Sequence, residues 1–203
     1  MKKRICLAIL VMGFSGLAAE VLLLRELLIV FSGNELCIGI TLANWLILEA
    51  FGCFFLARNA EKSKHTFEKF IVITILFSFS LLIAIFLTRV LKIVIGISIG
   101  ESIGFVPMLY SSFIILFPVS ILHGALFPYS CRMVVMFSGR DVSSAGRVYA
   151  YETVGTIVGG IACTYLLIPY LNTFQAATWL TILNVLVCLA VLAPFWKTGL
   201  FQK

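Results

Sequence analysis

FIVITILFSFSLLIAIFL, residues 70–87, runs eighteen residues without a charge, and its reading decides the fold. A helix rises ~1.5 Å per residue, so the run spans about 27 Å, close to the ~30 Å hydrocarbon core of a bilayer. No water reaches that core, so the backbone must satisfy its own hydrogen bonds, and a helix does so within one segment. Working outward, the same reading applies to Leu36–Ala57 and Ile5–Phe31 on one side. On the other side it applies to Phe105–Val135, Val148–Leu171 and Phe174–Phe195. The first and fourth are long enough to tilt or kink, and Pro107, Pro118 and Pro128 supply kink points in the fourth. Arg89–Gly104 is apolar but broken by Lys92, Gly96, Gly100 and Glu101, and reads as an interfacial or re-entrant piece.

Composition agrees. Of 203 residues 62% are hydrophobic and 12% charged, about half the ~25% of soluble domains. A mean hydropathy of +1.12 leaves too little polar surface to coat a water-soluble globule. The net charge of +6 does not indicate nucleic acid, because the basic residues sit in short clusters between apolar runs. Lys2, Lys3, Arg4, the apolar run and Leu17-Ala18-Ala19 resemble a secretory signal. The apolar character resumes after Glu20 and continues to Phe31, so the segment reads as a retained first helix.

Orientation follows from Lys and Arg. Lys2, Lys3, Arg4, Arg58, Lys62, Lys64, Lys69, Arg132, Arg140, Arg147, Lys197 and Lys203 fall on one side, twelve of fifteen. The other side has Arg89 and Lys92, while Arg25 lies within the first span. Six spans with both termini in the cytoplasm fit this alternation. The expected fold is an all-α integral membrane bundle of six helices, one transmembrane domain over residues 1–203. The polar links Ser32–Glu35 and Asn172-Thr173 make hairpins, and residues 138–147 form a cytoplasmic loop dividing four helices from two.

Charges inside apolar segments cost roughly 2.5–3.5 kcal/mol each at a helix centre, which makes them informative. Arg25, Glu26, Arg132 and Glu152 are placed either to snorkel to an interface or to be buried. Glu20 and Glu49 lie deeper, and an ion pair of either with Arg25 is the plainest reading. A transport or proton-relay role is the sharper one. His123, followed by Gly124, reads as a hydrogen-bonded packing residue, with no metal-ligand spacing around it. Gly13, Gly16 and Glu20 share one helical face, as do Glu152, Gly155 and Gly159. Small residues at that spacing admit close helix contact, so the first and fifth helices are expected to pack around buried polar groups.

Other chemistry finds no support. Cys6, Cys37, Cys53, Cys131, Cys163 and Cys188 lie in or beside apolar runs, where cysteine acts as a small hydrophobe. Gly96, Gly100 and Gly104 lack a preceding strand and a Walker lysine, so nucleotide binding is discarded. No Ser/His/Asp or Cys/His arrangement can be assembled, and no cofactor or metal is expected.

Gly13-Phe14-Ser15-Gly16-Leu17, then Glu20-Val21-Leu22 and Arg25, resembles the opening helix of membrane-integral spermidine synthase-like proteins. Ala145-Gly146-Arg147-Val148-Tyr149-Ala150, then Glu152-Thr153-Val154-Gly155 and Gly159-Gly160, resembles a later helix of the same domain. In that family a multi-helix membrane domain precedes a polyamine aminopropyltransferase domain. Leu23 stands where the family would have tryptophan, and Glu152 where asparagine is common. The Rossmann-like catalytic domain, with its sites for decarboxylated S-adenosylmethionine and putrescine, is not among these residues. The resemblance therefore implies a membrane domain that anchors, or passes substrate to, an aminopropyltransferase unit, with enzyme activity of this chain itself left open. By architecture the chain is also similar to half of a major-facilitator transporter, which gives the alternative: a small, dimeric transporter of a cationic or small organic solute. The partners implied are the lipid bilayer of the inner or plasma membrane, a second copy or a separate catalytic subunit, and a polyamine.

The charge count makes a prediction. A reporter inserted after Lys64 should read out as cytoplasmic and one after Ser32 as extracytoplasmic, by alkaline phosphatase and fluorescent-protein fusions. The opposite pattern would invert the topology.

Overall fold

The computed structural model describes residues 2–33, 35–95, 104–138 and 143–198. All regular structure among them is helical. Six helices, α1 (Lys2–Val30), α2 (Glu35–Lys62), α3 (Thr66–Ile95), α4 (Phe105–Ser138), α5 (Ser143–Ala162) and α6 (Thr173–Thr198), form the bundle. α5 continues through a π turn, Cys163–Leu167, into a last turn, Ile168–Tyr170. Six segments are long and apolar enough to cross a membrane, as a multi-pass membrane protein requires.

The ends follow local chemistry. α1 stops in a Schellman turn: Ser32 and Gly33 take positive φ, and the Gly33 N–H donates to the Leu28 carbonyl at 2.8 Å. α6 starts with a reciprocal capping box. The Gln175 N–H donates to Asn172 Oδ1 at 2.8 Å, and the Asn172 N–H donates to Gln175 Oε1 at 3.2 Å. α4 stays one continuous helix through Pro118 and Pro128. Helices α2 to α6 each run past an expected span at one end or both, α2 as far as Lys62. Helix α3 runs on through Arg89 to Ile95, so the start of the expected interfacial piece belongs to the third span. Its remainder up to 103 lies outside the described residues. Likewise α5 begins at Ser143, so the expected loop over residues 138–147 is helical in its last five residues. Residues 139–142 of that loop lie outside the described ones.

Packing is pairwise: α1 lies against α5, and α2 against α4, while α3 and α6 close the far side. Two apolar clusters fill the bundle, one around Leu23, Trp45, Phe77 and Leu116, the other around Ile9, Phe70, Leu126 and Met133. Glycines set the closest approaches. A Cβ on Gly155 would run into the Leu10 carbonyl, and one on Gly13 into the Glu152 carbonyl. On the α2–α4 contact, a Cβ on Gly124 would meet the Glu49 carbonyl, and one on Gly52 the Ile121 carbonyl. Backbone is the obstacle in each case, so a side chain there must push two helices apart.

A polar seam joins α1, α3 and α6. Ser15 Oγ donates to Asn184 Oδ1 at 2.9 Å, and Asn184 Nδ2 donates to Ser78 Oγ at 3.0 Å. Interhelical bonds of this kind contribute ~0.6 kcal/mol on average, but they fix register among otherwise greasy surfaces.

Gly155→Ala should lower unfolding free energy in mild detergent by about 1–3 kcal/mol through overpacking. Gly39→Ala should leave it unchanged, since open space surrounds Gly39. Titration with sodium dodecyl sulfate, followed by far-UV circular dichroism, measures both.

Candidate functional site

Gly13, Gly16 and Glu20 occupy one face of α1, because spacings of three, four and seven residues return near the same helical angle. Arg25 is five residues beyond Glu20, about 140° round the helix at 100° per residue. That difference decides the site. Glu20 lines an open cleft of about 580 Å³ floored by α1 and α4 and walled by α2 and α5. Arg25 lines a different groove. The expected pairing of Arg25 with Glu20 or Glu49 is therefore not formed.

Glu49 bonds elsewhere. Its Oε1 lies 2.6 Å from Nδ1 of His123, and its Oε2 accepts from Nε1 of Trp45 at 3.1 Å. His123 is 6% exposed, and its Nε2 lies 3.3 Å from the Met12 carbonyl oxygen. A carbonyl only accepts, so Nε2 carries a proton in that contact. Nδ1 and Glu49 then share the second proton. With the proton on either partner the pair has no net charge. Phe77 and Trp45 enclose the ring, with centroids 5.4 and 6.1 Å away. Gly16 faces the imidazole on α1, where any side chain would displace it.

Glu20 and Glu152 complete the polar lining, with Tyr149, Thr153 and Thr156. Neither carboxylate makes a hydrogen bond or ion pair to another described residue, and neither is sealed from the cleft. Glu152 sits at the level of Gly13, and Glu20 is seven residues further along α1, about 10 Å. The cleft thus presents two acidic groups along the bundle axis, with the neutral Glu49–His123 pair between them. Such an arrangement can hold a cation, or two cationic groups on one chain, in a low-dielectric setting where attraction is strong. Among the described residues no cluster of His, Cys, Asp and Glu is arranged to hold a metal ion. The cysteines carry free thiols, and Cys37, Cys163 and Cys188 are buried.

Of the residues named from sequence, Glu20, Glu49, His123, Glu152, Gly13 and Gly16 meet at this cleft. Gly155 and Gly159 lie against Leu10 and Phe14 and hold α5 to α1. Trp45 and Gly124 were not foreseen. Trp45 precedes Glu49 by four residues, the spacing at which helical side chains meet, and that signal was readable. Glu26 of α1, placed by the sequence either to snorkel or to be buried, is buried, and its unforeseen partner is Arg89, from whose Nε it accepts at 3.0 Å and from whose Nη2 at 2.9 Å. This forked pair joins α1 to α3 near their far ends, with the Glu26 side chain 7% exposed.

Glu26→Gln should destabilise the bundle by about 1–3 kcal/mol, since it leaves Arg89 without its charged acceptor. Glu20→Gln should fall within ~0.5 kcal/mol of the unaltered protein, having no internal bond to lose. Equal losses for both variants in detergent unfolding would show that Glu20 is a structural residue instead.

Comparison of the chain with protein-family models, curated proteins and solved structures finds no match in any of the three.

Proposed function

We propose that this chain is a membrane module, both termini cytoplasmic, that binds a small organic cation in the α1–α2–α4–α5 cleft and passes it to an aminopropyltransferase unit outside these residues. The observation that carries the reading is the pair of carboxylates, Glu20 and Glu152, open to the cleft and without an internal partner. A fold that places two such carboxylates at membrane depth bears a cost of several kcal/mol unless water, a proton or a ligand cation meets them. The polyamine class comes from the resemblance of residues 13–25 and 145–160 to the spermidine synthase-like membrane domain. Those two stretches supply Gly13, Gly16, Glu20, Tyr149 and Glu152 to the cleft. A diamine or polyamine suits two acids about 10 Å apart along the helix, since its ammonium groups are separated by flexible methylene chains.

A second reading has its own support. The cleft is open between α2 and α5, the walls farthest from the packed α3–α6 side, as expected of half an alternating-access unit meeting its other half. In that reading the chain is a dimeric transporter of the same cation, in the plasma or inner membrane.

Isothermal titration of the purified protein with spermidine and putrescine tests the binding. Binding is expected, weakened about tenfold or more by Glu20→Gln and by Glu152→Gln, while neutral solutes of similar size give no heat. Affinity unchanged in both variants would sink the proposal. Proteoliposome uptake then separates the readings: flux that Glu20→Gln abolishes with folding intact marks a transporter, and binding without flux marks the substrate-passing module.

A further inference from the structure

Arg25 occupies a groove of about 520 Å³ on the side of α1 away from the acidic cleft. Its walls are apolar, formed by Val21, Leu24, Leu28 and Ile29 of α1 and by Ile168 beyond the π turn of α5. Ser32, in the turn that ends α1, also lines it, so the groove reaches the end of the bundle. The Arg25 guanidinium lines this groove and forms no ion pair with a described carboxylate. Its Nη1 is enclosed and has no hydrogen-bond partner among the described residues. The adjacent carboxylate, Glu26, is engaged through both oxygens with Arg89. Arg25, Glu26 and Arg89 thus carry one net positive charge between them, all of it on the uncommitted guanidinium.

A guanidinium at membrane depth with an enclosed, unbonded nitrogen is unfavourable, and a ligand that accepts from it relieves that cost. Several features identify what does. Arg25 lies five residues, about 8 Å, below the end of α1, and a long arginine stem reaches the headgroup level from that depth. The planar fork matches two oxygens of a phosphate. The wall residues are those that an acyl chain covers, and Ile29 is 63% exposed. A soluble anion would leave them wet. A net positive cluster also favours a lipid with net negative charge over a zwitterion, whose own ammonium already balances its phosphate.

We propose that this groove is a binding site for an anionic phospholipid, with Arg25 on the phosphodiester and an acyl chain along Leu24, Leu28 and Ile168. The leaflet is the one at the end of the bundle opposite the amino terminus. The site is separate from the cleft, and lipid bound there bridges α1 to the irregular end of α5.

Native mass spectrometry of the full chain in mild detergent tests it. The protein is titrated separately with phosphatidylglycerol, with phosphatidylcholine of the same acyl chains, and with sodium phosphate. Phosphatidylglycerol should be retained in preference to phosphatidylcholine. Arg25→Gln should weaken phosphatidylglycerol about tenfold or more and leave phosphatidylcholine unchanged. Arg25→Lys should recover only part, since an ammonium keeps the charge without the fork. Unaltered phosphatidylglycerol retention in both variants would overturn the proposal. So would retention of inorganic phosphate in place of lipid, which would assign the groove to a soluble anion. Should Arg25→Gln fail to give a monodisperse protein, Leu28→Trp fills the apolar wall and keeps the guanidinium. It should reduce phosphatidylglycerol retention, and no change there would equally refute the site.

Discussion

The imidazole of His123 touches three helices at once: it comes from α4, meets the Glu49 carboxylate on α2, and reaches the Met12 carbonyl on α1. The rest of the bundle is arranged so that this contact can exist. Gly16 vacates the space the ring occupies, and Gly124 brings the α4 backbone against the Glu49 carbonyl. Trp45 takes the second carboxylate oxygen, so no acceptor of that group is wasted. Sharing one proton makes the pair neutral, which lets the imidazole be buried beside a cleft-lining carboxylate without the desolvation penalty of two isolated charges. It also leaves Glu20 and Glu152 as the cleft's acidic groups outside that pair. The middle of the cleft is therefore uncharged, and its acids stand above and below along the bundle axis.

Much of this was legible in the sequence, and the illegible part has a physical reason. Six spans could be counted because each is a continuous apolar run, a property of one segment that needs no knowledge of its neighbours. The close α1–α5 contact was equally local: Gly13, Gly16 and Glu20 on one face, Glu152, Gly155 and Gly159 on the other. By contrast, Gly52 and Gly124 are single glycines that form no stripe, and only the facing helix reveals that each meets backbone. The partner of Glu49 is 74 positions away in sequence, so no spacing rule could pair it with His123. Arg25 is the cation nearest to Glu20 in the chain, and nearness in sequence misled. Its angle round the helix, which was available, points it away from Glu20. Arg89 reads in the sequence as the start of an interfacial or re-entrant piece because Lys92, Gly96, Gly100 and Glu101 interrupt the apolar run beyond it. The helix continues regardless, and that extra turn carries the guanidinium to Glu26.

The polar groups are sorted by helix face. On α1, Ser15 turns toward α3 and α6 and joins Asn184, Gly16 and Glu20 turn toward the cleft, Arg25 turns to the outer groove, and Glu26 turns to Arg89. One helix at the centre of the bundle thus serves four environments. The two inward-facing networks are satisfied within the protein, as buried polar networks must be to stabilise a fold. The other two are not: the cleft carboxylates and the Arg25 guanidinium have no internal counter-charge bonded to them. In a bilayer that distinction separates groups that hold the structure from groups that await something else.

Those unsatisfied groups are opposite in sign and lie on different faces of α1, and this explains why they have not simply paired. About 140° of helix lies between Glu20 and Arg25, so no rotamer brings them together without unwinding α1. Unwinding would break the seam at Ser15 and the glycine contacts at Leu10 and Phe14 that hold α5. The packing that seats His123 therefore also keeps an acidic cleft and a cationic groove apart on one molecule. A sequence selected for stability alone would replace Glu20 and Arg25 with leucine, since lipid solvates neither charge well. Both are nevertheless present, each on a face where the fold gives it no bonded partner, and on that separation the two proposed ligand sites rest.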